Sequence, residues 1–210
     1  PCASDTIAVT EVLVKHEVSL RSIFAAVAGG GRSGASASII SLNEWIPFLE
    51  LLLFIGDDLS QRDACFAFVW SRMGVINGRT ERGRMREAGL PFEGFLEAVC
   101  RVAALKALPI DEEMELTGHA HAGAYMAWYK VDDEEGYELM LRERATPWGQ
   151  DPKLQPMSRS VDHTISMMIY AMEVETAGTD NLQLTEQETA AWVKEKKLHD
   201  KVEYATRQMS

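Results

Sequence analysis

The stretch LRSIFAAVAGGGRSGASASIISLNEWIPFLELLLF, residues 20–54, joins two apolar helical patterns through a loop of glycine, serine and alanine. Before the loop, apolar residues recur with the spacing of one helix face: Leu20, Ile23, Phe24 and Val27. After the loop, the same spacing is kept by Leu42, Trp45, Phe48, Leu49 and Leu52. The stretch therefore predicts a helix-loop-helix unit whose two helices share an apolar interior.

The loop ends in the way that the loop of a calcium-binding hand ends, with an apolar residue, a glutamate four residues later and then an aromatic residue: Ile40, Glu44 and Trp45. If Glu44 is loop position twelve, positions one, three and five are Ser33, Ala35 and Ala37, where calcium needs carboxylate or amide oxygens. We therefore predict that Glu44, the remnant of a metal site, caps or pairs locally near the start of its own helix.

The composition narrows the class of protein. With 210 residues and 46% hydrophobic content, the chain can build one generous core or two small ones. Its net charge of −11 argues against a nucleic-acid partner and an anionic membrane, because both need a basic face. The longest apolar run, 45–55, is too short to cross a bilayer and contains Glu50. A basic protein partner fits this charge better.

Three cysteines, Cys2, Cys65 and Cys100, are an odd number without paired spacing, and two of them lie in apolar helical patterns. This usage predicts buried free thiols in a reducing compartment, which indicates an intracellular, cytoplasmic protein. A first residue of proline instead of methionine leads us to expect a piece of a longer protein.

Residues 60–105 repeat the first unit. Ser60 and Asp63 form a capping-box pattern ahead of a helix over 64–73, whose predicted inward face is Phe66, Val69, Trp70 and Met73. A loop with four arginines follows, Arg79, Arg82, Arg84 and Arg86. The next helix repeats the helical spacing with Phe92, Phe95, Leu96, Val99 and Ala103. Leu90 then corresponds to Ile40 and Phe95 to Trp45, whereas Gly94 takes the place of Glu44.

Residues 17–108 resemble the EF-hand superfamily through the phrases ISLNEWIPFLE and LPFEGFLEAVCRVAALKALP. They are most similar to the calmodulin-like paired hands of protist and ciliary cytoskeletal proteins. The resemblance implies an all-α interaction module in which two hands, facing each other through the segments at Ile40 and Leu90, make one four-helix lobe. The apolar positions match this family and the calcium ligands do not.

The sequence divides into an N-terminal arm (1–10), a degenerate EF-hand pair (11–109), a helical segment with a proline-rich connector (110–157) and a C-terminal helical region (158–210). The acidic run 132–136 is expected to begin a helix, and Trp148 to anchor the connector on a neighbouring surface. In the last region, Ile165, Met168, Ile169 and Met172 predict a core helix. A third degenerate hand, with Glu188 at loop position twelve, would give a second degenerate lobe.

No cofactor and no metal site are predicted. His119 and His121 could share a metal on a strand, but two residues apart on a helix they point away from each other. All five histidines are scattered, and no serine or cysteine stands in a nucleophile motif, so we expect no enzyme.

The expected function is a calcium-independent scaffold of a cytoskeletal, ciliary or flagellar assembly that binds an amphipathic partner helix in an apolar groove. The groove and lobe core are predicted at Trp45, Phe48, Trp70, Met73, Phe95 and Val99. The four arginines are an alternative docking site for an acidic partner or a phosphate, against a solvated loop. A calcium sensor and an uncharacterised enzyme are the alternative functions.

Overall fold

The computed structural model describes residues 3–28, 39–72, 79–150, 154–176 and 187–195. Within these ranges the regular secondary structure is helical, as predicted, and the β-structure is one isolated bridge. The helices in chain order are α1 (Ala3–Lys15), α2 (Glu17–Ala28), α3 (Leu42–Leu51), α4 (Gln61–Trp70), α5 (Glu81–Ala88), α6 (Phe92–Leu105), α7 (Asp111–Thr117), α8 (Ala122–Asp132), α9 (Glu134–Arg144) and α10 (Met157–Thr176). Residues 187–195 are also helical.

Helices α2, α3, α4 and α6 pack around a shared interior, which we call the lobe. Its two halves are joined by an antiparallel bridge, in which Ile40 N–H donates to Leu90 O at 2.9 Å and Leu90 N–H donates to Ile40 O at 2.8 Å. The backbones approach so closely that a Cβ at Gly89 would lie 2.2 Å from Ile39 Cγ2. The expected pairing of the segments at Ile40 and Leu90 is therefore confirmed.

Aromatic rings tie the lobe helices together. The ring centroid of Phe24 on α2 lies 5.7 Å from that of Phe95 on α6, and the Phe95 centroid lies 6.3 Å from that of Trp45 on α3. The indole Nε1–H of Trp45 donates to the Ala64 carbonyl oxygen at 3.0 Å, which connects α3 to α4 and satisfies a buried donor. Such contacts combine area burial with a specific ring geometry, so they define how the helices cross.

The predicted inward face of α4 is wrong. Ala64, Ala67 and Phe68 are buried, whereas Val69 is 43% exposed and Trp70 is 65% exposed. The reason is close packing: α4 lies against α3 and α6, and small side chains permit the approach that Trp45 uses to reach the Ala64 carbonyl. Size and hydrophobicity alone favoured the opposite face.

Two segments that the sequence suggested to be irregular are helical. Residues 3–10, predicted as an arm, belong to α1, whose Val9, Val12 and Leu13 pack against the core. Residues 81–88, predicted as an arginine loop, form α5, because the Thr80 hydroxyl accepts from Gly83 N–H at 3.0 Å and caps the helix start. Apolar contacts with the core stabilise α1, and the N-terminal cap stabilises α5.

Two local predictions beyond the lobe are confirmed. The acidic run starts a helix, since Asp133 Oδ1 accepts from Gly136 N–H at 2.9 Å as the N-cap of α9. The Trp148 ring lies 5.6 Å from the ring of Phe66, so the connector is anchored on α4. Within the lobe, Cys65 and Cys100 are free thiols as predicted, but both residues are half-buried, not buried. The burial of the Cys100 thiol raises its pKa to about 12.

Helix α10 runs through the centre of the protein and packs against α1, α6 and α8. From residue 161 to 166 every side chain is buried. Its apolar residues Ile165, Met168, Ile169 and Met172 are each at most 1% exposed, as the sequence predicted for a core helix. No described helix is both long and apolar enough to cross a membrane.

The crossing of α8 and α10 depends on a glycine. A Cβ built at Gly123 would lie 2.4 Å from Tyr170 Cβ and 2.7 Å from Tyr170 Cγ, far inside van der Waals contact. We predict that Gly123→Ala lowers the free energy of unfolding by about 1–3 kcal/mol, because overpacking outweighs the better helix propensity of alanine. Urea denaturation followed by circular dichroism measures this change.

Ala127→Leu is the control, since Ala127 is exposed on the same helix one turn later. Its effect should stay within about 0.5 kcal/mol. Equal stability of the Gly123→Ala variant and the original chain would contradict the close crossing.

Candidate functional site

The predicted groove residues lie in the interior of the lobe. Trp45, Phe48, Phe95 and Val99 are 0%, 2%, 0% and 1% exposed. They share one continuous hydrophobic core with the apolar residues of α10. Of the two roles predicted for these residues, groove lining and lobe core, their burial agrees with the lobe core, to which the apolar residues of α10 also belong.

The remaining two groove predictions have different outcomes. Trp70 is 65% exposed at the end of α4, so it is a surface residue and does not belong to the core. Met73 lies outside the described residues.

The C-terminal segment 187–195 also enters this core. Thr189, Trp192 and Val193 are 0%, 2% and 6% exposed, and Trp192 and Val193 join the same hydrophobic cluster as α3 and α6. Beside Val193 lies a cavity of about 80 Å³ whose lining is mostly apolar. Its walls come from α2, α3 and the segment: Val27, Asn43, Glu44, Pro47, Phe48, Leu51 and Val193. The cleft between α2 and α3 is thus occupied by the chain itself, with space left over.

The loop positions that would hold calcium have other roles. The Glu44 carboxylate accepts from Ser41 N–H at 2.8 Å and from the Ser41 hydroxyl at 2.7 Å, so it caps α3 as predicted. At the corresponding Gly94, a Cβ would lie 2.8 Å from the Ser71 carbonyl oxygen. The backbone that follows α4 therefore fills the space that a carboxylate side chain would need. Loop residues Ser33, Ala35 and Ala37 lie outside the described residues.

The four arginines are at or near α5. Arg79 precedes this helix and Arg84 lies on it, and both are exposed. Arg82 and Arg86 also lie on α5, with side chains outside the described part of the structure. A surface location is compatible with either a solvated face or a docking role.

A polar cluster connects α1, α7 and α10. Asp162 on α10 accepts from His16 Nε2–H at 2.6 Å, from Lys15 Nζ at 3.0 Å and from Arg159 Nη1 at 2.9 Å. Burial alone would raise the pKa of Asp162, but the hydrogen bonds and positive charge of His16 and Lys15 outweigh it and hold this pKa well below its usual range. Asp162 therefore stays ionised and fixes α1 on α10.

The second half of this cluster holds α7. Arg159 Nε donates to Asp111 Oδ2 at 2.8 Å, and the Arg159 Nη2 also donates to Asp111. The hydrogen bond from Arg159 is the main reason that the pKa of Asp111 is lowered. His163 Nδ1 lies 3.0 Å from the Pro109 carbonyl oxygen, which can only accept, so Nδ1 carries the proton. Burial, followed by the charge of Arg159, lowers the pKa of His163 and keeps its ring neutral.

A mostly buried non-helical segment, residues 106–110, joins the lobe to α7; we call it the linker. Lys106 Nζ lies 2.8 Å from Asp58 Oδ2 and donates to the Phe54 carbonyl oxygen at 3.1 Å, with both charged side chains at most 4% exposed. Asp58 also accepts from Ala107 N–H at 3.1 Å. Farther along, Arg144 donates to Leu108 O at 3.2 Å, and Glu113 accepts from Ile110 N–H at 3.1 Å.

His119 and His121, which the sequence analysis considered as metal ligands, lie outside the polar cluster and the linker. His119 packs its ring 5.1 Å from that of Trp128, and its Nδ1 is 2.9 Å from the Thr117 hydroxyl. Gly118, with φ of +75°, ends α7 just before it, so His119 and His121 precede α8. Among the described residues, no group of three or more histidine, cysteine or acidic side chains could hold a metal ion.

Sequence reasoning missed the polar cluster and the linker contacts. Arg159, Asp162 and His163 have the helical spacing i, i+3, i+4 inside an otherwise apolar helix pattern. A stripe of charged residues on a helix that must be buried predicts that other elements bring partners of opposite charge. That signal was present, although it does not identify His16, Asp111 or Asp58.

Comparison with known proteins adds no relative: no protein-family model, no curated protein and no solved structure matches this chain.

The neutral His163 predicts a pH dependence. Because its pKa is lower in the folded chain than in the unfolded chain, its contribution to stability is complete above about pH 6.5 and is lost as the pH falls towards the folded pKa. We predict that His163→Asn, which keeps an N–H for the Pro109 carbonyl, flattens the decline in free energy of unfolding between pH 7.5 and 5.5. Its own cost at pH 7.5 is about 1–3 kcal/mol.

Urea unfolding across this pH range measures both quantities. The half-exposed His119 provides the matched control, His119→Asn, which should keep the original pH profile. The assignment would be wrong if the His163→Asn profile ran parallel to that of the original chain. The acidic residues with lowered pKa titrate at lower pH and do not interfere.

Proposed function

We propose that this chain is a non-catalytic, calcium-independent interaction module built on a degenerate pair of EF-hand-like units. In this proposal, residues 17–108 act as a scaffold lobe whose apolar cleft binds amphipathic helices, the chain's own among them. The setting that we propose is a cytoskeletal assembly. This setting is supported by the resemblance of residues 17–108 to the paired hands of protist and ciliary cytoskeletal proteins.

The observation that carries the proposal is the use of both twelfth loop positions for packing. Glu44 is engaged by the backbone and hydroxyl of Ser41, and Gly94 lies against the Ser71 carbonyl. A calcium hand needs a bidentate carboxylate at this position in each loop. The first carboxylate has another role, and the second would have no space.

The pairing of the two units supports an EF-hand-like lobe. Two hydrogen bonds between Ile40 and Leu90 join the segment before α3 to the segment before α6. A single helix-loop-helix unit leaves its apolar face uncovered, so two units joined at the loops are needed to enclose one core. The Trp45–Phe95 contact lies just beyond this bridge, where both exit helices begin.

A permanently assembled cleft supports a scaffold more than a switch. The linker is held by the buried Lys106–Asp58 pair, and α10 is held by the polar cluster around Asp162. Breaking a buried pair by removing one partner is strongly unfavourable, which keeps the lobe and α10 in one arrangement. A calcium sensor, in contrast, needs two arrangements that the metal can bias.

Removing the charge of Glu44 tests the proposal against a calcium sensor. Gln can still accept from Ser41 N–H in a capping box, so Glu44→Gln should change the free energy of unfolding by less than about 1 kcal/mol. Isothermal titration with calcium and with magnesium should give the same heats for this variant as for the original chain, with no micromolar binding in either. The physical reason is that the carboxylate caps α3 and does not coordinate a cation.

Glu50→Gln is the matched control, because Glu50 is an exposed glutamate on the same helix. Micromolar calcium binding that disappears with Glu44→Gln and survives in Glu50→Gln would reject the proposal in favour of a calcium sensor. An accompanying rise in exposed apolar surface would strengthen that rejection.

A further inference from the structure

We propose that segment 187–195 is an internal ligand of the cleft between α2 and α3, and that the cleft exchanges it for a basic amphipathic helix carrying Trp followed by Leu or Met. This inference rests on the proposed function, since it assigns the partner class and the competing ligand of the same cleft. Four observations on the segment and the cleft lead to it.

Few residues attach the segment to the core. Of its nine residues, only Thr189, Trp192 and Val193 are buried, and the residues between and around them are exposed. Helix α10, in contrast, is buried at every position from 161 to 166 and is tied to α1 and α7 by charged side chains. Of these two occupants of the lobe, the segment can leave without breaking the polar cluster.

Trp192, the large buried residue that anchors the segment, lacks a hydrogen-bond acceptor for its indole N–H among the described residues. The residue is 2% exposed, and this N–H is buried. By comparison, the buried indole of Trp45 donates to the Ala64 carbonyl. A buried donor that loses its water without gaining a partner weakens the attachment of the group that carries it. A partner helix whose own Trp indole N–H finds an acceptor in the same place would bind more tightly.

The residue after the anchor is too small for its site. The cavity of about 80 Å³ beside Val193 is walled by Val27, Pro47, Phe48 and Leu51. Water in a mostly apolar space of this size has few hydrogen-bond partners, so a larger apolar side chain that displaces it would be favoured. Leu or Met in place of Val193 would extend into this space, so a partner helix with such a residue has an advantage over the chain's own segment.

Charge favours a basic partner. The chain has a net charge of −11, and its own segment continues from Trp192–Val193 into lysines, Lys194, Lys196 and Lys197. An acidic protein attracts cationic segments and repels acidic ones, which affects both the rate and the selectivity of association. The internal ligand therefore shares the aromatic anchor and the aliphatic neighbour of the external one. With Glu188 and Glu195 against Lys194 it is not itself basic, so a basic helix would have the advantage of charge over it.

The test uses the full chain and a labelled synthetic peptide of residues 185–198 that carries Val193→Met. Fluorescence anisotropy compares its binding to the original chain, to Trp192→Ala/Val193→Ala and to the surface control Trp70→Ala. We expect at least about tenfold tighter binding to the double variant, because its cleft is more often vacant, and an unchanged affinity for the control. A second peptide that also carries Trp192→Ala should bind the double variant at least about tenfold more weakly.

Equal affinity of the double variant and the original chain, or equal binding of both peptides, would overturn the inference. If the double variant fails to fold, the original chain with a specific protease site inserted between Gly178 and Thr179 replaces it. After cleavage, excess Val193→Met peptide should displace the C-terminal fragment in gel filtration, and the Trp192→Ala peptide should not. Displacement by both peptides or by neither would reject the inference.

Every titration is repeated in EGTA and in excess calcium, which separates this inference from the proposed function. Peptide binding that requires calcium would contradict the calcium-independent module and leave the internal ligand intact. Absence of peptide binding in both conditions would contradict the internal ligand alone.

Discussion

A segment without secondary structure passes through the interior of this protein, and its backbone must find hydrogen-bond partners there. Burial of an unpaired amide or carbonyl is unfavourable, and neither the end of α6 at Leu105 nor the linker 106–110 after it has a further helix turn or a strand to satisfy these groups. Their partners are therefore other parts of the chain: Thr146 N–H donates to Leu105 O, Asp58 accepts from Ala107 N–H, and Arg144 donates to Leu108 O. His163 completes the series at the Pro109 carbonyl. The lobe, α9 and α10 are thus held in place by one short segment, because each of them supplies a partner for one of its buried backbone groups.

The same requirement explains why α10 is polar on one side although it is buried. Its apolar residues, such as Ile165 and Ile169, belong to the core of the lobe, while Asp162 and His163 face α1 and the linker. A uniformly apolar helix would fill the lobe equally well, but it would leave the Pro109 carbonyl and the charges of Lys15 and Asp111 without partners. The charged side chains of α10 therefore set its rotation and register, whereas its apolar side chains supply the burial.

Local patterns in the sequence predicted the features that depend on neighbouring residues. The local capping role of Glu44, the capping box at Ser60, the core side of α10 and the correspondence of Ile40 with Leu90 could all be obtained from spacing and side-chain chemistry. The inward face of α4 could not, because close helix packing selects small residues such as Ala64 over large ones. The identity of the groove's occupant was also beyond local patterns, since the lobe and α10 are joined by contacts between distant residues. Lys15 and Asp162, for example, are 147 positions apart.

Under the proposed relation to EF-hands, the absence of metal ligands and the burial of α10 are connected by energetics. In a metal-dependent hand, the free energy of metal binding contributes directly to folding, so a loop without ligands must be stabilised in another way. Here the two loops are joined by the Ile40–Leu90 hydrogen bonds, and the lobe gains apolar burial from the chain's own helix and from Trp192. An internal ligand that stabilises the lobe also competes with any external ligand, because a partner must replace the burial that it displaces. For a calcium-independent module, the burial of the internal ligand would then explain two properties together: the stability of the lobe without metal and its selectivity for a strong partner.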